Sequence, residues 1–113
     1  MSNRQQPGRK FTAEDARLML SSPVYAYGIN LVPTELVADA VMQLNKRLAE
    51  EMRDTGATFT LDELDHRFMA LLRELENSGT CTRAEDYPPI VSKDLWLQAQ
   101  MKTIEKLSRG ERL

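Results

Sequence analysis

Residues 58–79, TFTLDELDHRFMALLRELENSG, hold the side chains of this chain best suited to chemistry: Asp62, Glu63, Asp65 and the single histidine, His66. Glu63-x-x-His66 has the spacing with which di-iron helix bundles present a carboxylate and an imidazole to metal. Such a site takes two of these pairs and two further glutamates, all projecting inward. A chain with one histidine cannot complete the set; only two copies together could. Position argues further against it. At 100° per residue His66 falls about 160° from Phe68, opposite the leucines and away from the interior where bundle ligands must point. Asp62 and His66 share a helix face at i, i+4, which is a minor surface pairing.

Other catalytic arrangements fare no better. A serine nucleophile would have to use His66, and no small-residue elbow surrounds any serine. Cys81 lies in a loop with no base beside it. The five glycines are isolated, so no phosphate-cradling loop exists, and no Cys/His spacing supports zinc. The expectation is a protein that is not an enzyme, with no cofactor and no metal.

The same residues read well as the start of a helix. Thr60, three positions before Glu63, forms a capping box, and Phe59 with Leu64 has the spacing of a hydrophobic staple. Leu61, Leu64, Phe68, Leu71, Leu72 and Leu75 cover an arc of about 100°, one buried stripe. Asn77, Ser78 and Gly79 end it. Before it, residues 33–54 form the longest helix, with Leu36, Val37, Ala40, Val41, Leu44, Leu48 and Met52 within about 160°. Gly56 supplies the left-handed residue that closes it. Ala38, Met42 and Ala49 form a second, smaller strip on that helix. It is either neutral surface or a face covered by the chain itself or by a partner. The short connection between the two helices makes them an antiparallel hairpin.

Around the hairpin, residues 11–22 read as a short first helix, with Thr12 as cap and Glu14 and Asp15 at the positive end of its dipole. Residues 22–32 are ambiguous. Ser22-Pro23 could open a helical turn that Gly28 ends, or residues 24–27 could run extended; the reading adopted is an irregular connector. Residues 80–91 contain Pro88 and Pro89 and should be largely non-helical and partly extended. Ser92 caps a last helix whose apolar arc (Trp96, Leu97, Met101, Ile104, Leu107) is interrupted by Gln100, and residues 108–113 should fray. The expected fold is all-α: a small three- to four-helix bundle with a central antiparallel helical hairpin. Residues 11–113 form one helical domain behind a disordered basic tail, residues 1–10.

Composition bounds function more than it identifies it. A chain of 113 residues, 42% apolar and 28% charged, can build one core without staples. One cysteine permits no internal disulfide and favours a reducing compartment, the cytoplasm. No leading apolar segment and no run of 18 apolar residues argue for secretion or membrane spanning. The net charge of −2 is unevenly placed. From residue 34 to 86 there are twelve acids against six bases, while residues 1–10 carry Arg4, Arg9 and Lys10 with no acid. Nucleic-acid binding through the basic tail and the last helix is the alternative reading, but Lys93, Lys102, Lys106 and Arg109 share no narrow face. The favoured reading is a protein-interaction module, an adaptor or small regulator that self-associates. Its candidate contact residues are Tyr25, Tyr27, Ala38, Met42, Ala49, Tyr87, Trp96 and Leu107.

Overall fold

The computed structural model describes residues 22–111; the first expected helix, but for Ser22, and the basic tail lie outside them. Among the described residues there are four helices: α1 (Val24–Tyr27), α2 (Thr34–Thr55), α3 (Leu61–Asn77) and α4 (Lys93–Ser108). Two short strands, β1 (Leu31–Val32) and β2 (Thr82–Arg83), pair antiparallel with Leu31 opposite Arg83 and Val32 opposite Thr82. This is the small, mostly α bundle that the hydrophobic periodicity implies, with α2 and α3 joined as a hairpin through residues 56–60.

Local chemistry explains each helix end. At α3 both halves of the capping box form: the Glu63 N–H donates to Thr60 Oγ1 at 3.1 Å, and the Thr60 N–H donates to Glu63 Oε1 at 2.8 Å. Ser92 caps α4, its hydroxyl accepting from the Leu95 N–H at 3.4 Å. α2 closes on Gly56, whose φ of 72° is left-handed and whose N–H donates to the Met52 carbonyl. The end of α4 does not fray as expected within the described residues. Arg109, Gly110 and Glu111 all donate back to carbonyls of residues 105–107.

Residues 22–32 also depart from the irregular connector. Pro23, with φ −65° and ψ −14°, already holds the helical conformation, and Gly28 at φ 74° ends one turn. The two strands escaped sequence pattern because two residues each are too few to alternate. Their pairing joins segments about fifty residues apart in sequence.

The main core draws on all four helices. Leu64 and Phe68 of α3, Val41, Leu44 and Leu48 of α2, Trp96, Leu97 and Ile104 of α4, and Ala26 of α1 are buried together. The Phe68 and Trp96 rings meet edge to face at 5.0 Å. α2 packs more extensively on α4 than on its hairpin partner. Part of the reason is the polar position that seemed to interrupt α4. Gln100 is buried, and its Oε1 accepts from Asn45 Nδ2 at 2.9 Å. Asn45 and Ala49 are interior too, which widens the buried face of α2 beyond the stripe of Val41, Leu44 and Leu48. A smaller cluster of Leu31, Val37, Leu72 and Cys81 lies under the strand pair.

Burial sets the expected cost of core substitutions. Phe68→Ala should destabilise by about 3–5 kcal/mol. Leu71→Ala, at a half-buried site, should fall at or below the lower end of the about 2–5 kcal/mol range for aliphatic deletions. Urea unfolding midpoints read both; equal midpoints for Phe68→Ala and wild type would contradict this core.

Candidate interaction face

Glu63 and His66 do not make a reactive pair. His66 is exposed on the polar side of α3. The Glu63 carboxylate is engaged in the cap, where hydrogen bonding to the backbone and then the side chain of Thr60 holds its pKa below the usual carboxylate value. Among the described residues no group of three or more His, Cys, Asp or Glu is placed to hold a metal ion. Cys81 is buried, and burial pushes its thiol pKa up, away from the nucleophilic thiolate.

The candidate contact residues separate into inside and outside. Trp96 and Ala49 are core residues, each 3% exposed, and neither presents surface to a partner. Leu107 is half-buried against the same core, and Ala38 and Met42 are half-buried on α2. Tyr27 is a structural tie. Its ring meets Trp96 edge to face at 5.8 Å, and its hydroxyl donates to Asp65 Oδ1 at 2.7 Å. Lys93 Nζ lies 3.4 Å from Asp65 Oδ2 and 5.5 Å from the centre of the Tyr27 ring. Burial first, then the hydrogen bond and charge of Asp65, hold the Tyr27 phenol pKa well above its ordinary value. Tyr27 thus links α1 to α3 and α4.

Tyr87 lies in the loop over residues 84–91, and Tyr25 lies in α1, to which that loop is fastened. The loop backbone is fastened along its length. The Ala84 N–H donates to the Asn30 carbonyl at 2.8 Å, and the Tyr87 N–H to the Gly28 carbonyl at 3.2 Å. The Ile90 and Val91 N–H groups both donate to the Tyr25 carbonyl at 3.0 Å. Asn30 Nδ2 donates to the Glu85 carbonyl, and the Asn30 N–H to Asp86 Oδ1. Arg83 closes the arrangement, 3.0 Å from Asp86 and 3.4 Å from Glu76. The Arg83 side chain, followed by the Asn30 N–H, holds the Asp86 carboxyl pKa below its usual value.

On this fastened backbone two large apolar side chains face water: Tyr87 is 55% exposed and Ile90 67%, with Leu95 at 63% in the first turn of α4. Ile90 and Leu95 were not among the residues singled out from sequence. A signal existed for both. Ile90 is an apolar residue directly after two prolines in a polar loop, and Leu95 lies off the arc centred on Trp96 and Ile104. Behind Tyr87 is a small cavity of about 150 Å³, walled by Tyr25, Asn30, Leu31, Thr34, Val37 and Tyr87. Comparison of the chain with family models, with curated proteins and with solved structures gives no match.

Two measurements test this geometry. A Cβ at Gly28 would stand 2.5 Å from the Tyr87 carbonyl oxygen, and φ is +74° there. Gly28→Ala should therefore cost about 1–3 kcal/mol and shift the loop resonances; a stability equal to wild type would contradict the loop's close approach. The raised Tyr27 pKa contributes stability that is complete below the unfolded-state phenol pKa of about 10 and lost as pH rises beyond it. Stability should fall more steeply above pH ~10 in wild type than in Tyr27→Phe. Parallel profiles would show that the phenol is neither buried nor held by Asp65.

Proposed function

We propose that the protein is a non-enzymatic protein-interaction module, an adaptor or small regulator of a reducing compartment such as the cytoplasm, that binds through Tyr87, Ile90 and Leu95. One observation carries the reading: Ile90 is 67% exposed while its own N–H is tied to the Tyr25 carbonyl. Single exposed apolar residues are ordinary on any protein surface. Here three fall between positions 87 and 95, at least two of them on hydrogen-bonded backbone, so little ordering remains to oppose binding. No helix among the described residues is long and apolar enough to cross a membrane.

Self-association belongs to the same reading but has less to draw on than the helix pattern suggested. Ala49 and Trp96 are inside, and α2 presents Leu36, 43% exposed, with half-buried Ala38 and Met42. The nucleic-acid alternative gains no support from the last helix. Lys93 faces Asp65, and Arg109 faces Glu111 at 2.6 Å, so two of its bases are directed at carboxylates within the chain.

A photo-crosslinking residue placed at position 90, in the organism that makes the chain, should give discrete protein adducts. The same group at position 50, on the exposed side of α2, should give far fewer. An adduct of twice the chain mass would identify the homotypic form. No protein adducts from position 90, or the same adducts from both positions, would end this reading.

A further inference from the structure

Building on the interaction reading, we propose that residues 85–90 are a preformed polyproline-type ligand, and that the partner is a protein domain with an aromatic-ridged groove and a basic residue at one end. Consecutive prolines fix φ near −65° at Pro88 and Pro89 and drive Tyr87 and Pro88 to extended ψ. That is the polyproline II conformation, a left-handed helix of three residues per turn. The segment carries neither α-helix nor strand. With three residues per turn, Tyr87 and Ile90 stand on one edge, roughly 9 Å apart. They are also the two large apolar side chains of the loop that face water. Pro89 is also exposed, but it passes close over Gly28, with its Cδ 3.4 Å from the position a Cβ there would take. One edge leans on α1 and the other is displayed.

The hydrogen-bonding groups decide how a partner can read this edge. A partner that added a strand would need alternate N–H groups pointing outward. Between Tyr87 and Ile90 there are none to give. Pro88 and Pro89 have no N–H, and those of Tyr87 and Ile90 are used by the carbonyls of Gly28 and Tyr25. Recognition must therefore rest on side chains and carbonyl oxygens, which is how aromatic-lined grooves hold proline-rich segments. Charge adds direction. Asp86 is engaged by Arg83 and Asn30, whereas the Glu85 side chain is exposed just upstream, within a stretch of twelve acids and six bases. A basic group on the partner facing Glu85 completes the fit. A second copy of the chain is a poorer occupant. It would bring like charge to an acidic surface, and a few displayed side chains are far from the roughly 800 Å² per partner of a standard stable interface.

The test uses a panel of purified SH3 and WW domains, titrated with the full chain, with Tyr87→Ala and with Ile90→Ala. At least one domain should bind the wild-type chain. Each substitution should weaken that binding about tenfold or more while leaving the far-ultraviolet spectrum and unfolding midpoint near wild type. An excised peptide of residues 84–91 should bind the same domain several-fold more weakly, because it lacks the bonds to α1. No binding across the panel, binding indifferent to both substitutions, or a peptide as tight as the folded chain would each overturn the proposal. If position 90 still crosslinks to protein while the panel is silent, the groove class is wrong and the interaction reading stands. Silence in both experiments removes both.

Discussion

Trp96 is the contact on which the rest of the molecule depends. Phe68 meets its indole edge-on at 5.0 Å and Tyr27 at 5.8 Å, so one side chain of α4 fixes both the leucine-rich helix and the single turn of α1. α1 is four residues long and far too short to persist by its own hydrogen bonds. It is held by Tyr27, through Trp96 and through Asp65, and by buried Ala26. The loop over residues 84–91 is in turn fastened to the carbonyls of α1. The exposed face therefore inherits its rigidity from the core by a short chain of contacts: Phe68 to Trp96, Trp96 to Tyr27, Tyr27 to the backbone under Ile90.

Several carboxylates serve this scaffold, among them two that first suggest chemistry, Glu63 and Asp65. Glu63 completes a cap, Asp65 receives the Tyr27 hydroxyl and Lys93, and Asp86 binds Arg83 and Asn30. Each has its partner at hydrogen-bonding distance within the chain.

Features set by near neighbours are legible in the sequence itself. Thr60 and Glu63, three positions apart, specify a helix start whatever surrounds them, and the stripe from Leu61 to Leu75 specifies its buried side. His66 faces outward for the same reason. Features set by distant neighbours were not legible. Gln100 looked like a flaw in an apolar arc because its partner, Asn45, lies fifty-five positions away. The strand pair and the bonds from residues 84–91 to α1 are of the same kind. Trp96 could be read either as core or as a binding anchor, since burial and interface favour the same side chain. Ile90 is ambiguous in the sequence, because one apolar residue in a loop means little until its backbone is known to be fixed.

The central claim is that the loop displaying Tyr87 and Ile90 is held by main-chain bonds to α1 and is not a passive linker. Amide hydrogen exchange of the native protein, resolved by residue, tests it most directly. The account predicts that the Tyr87, Ile90 and Val91 amides exchange at least about tenfold more slowly than in an unstructured chain of the same sequence. Exchange of all three at the unstructured rate would contradict it.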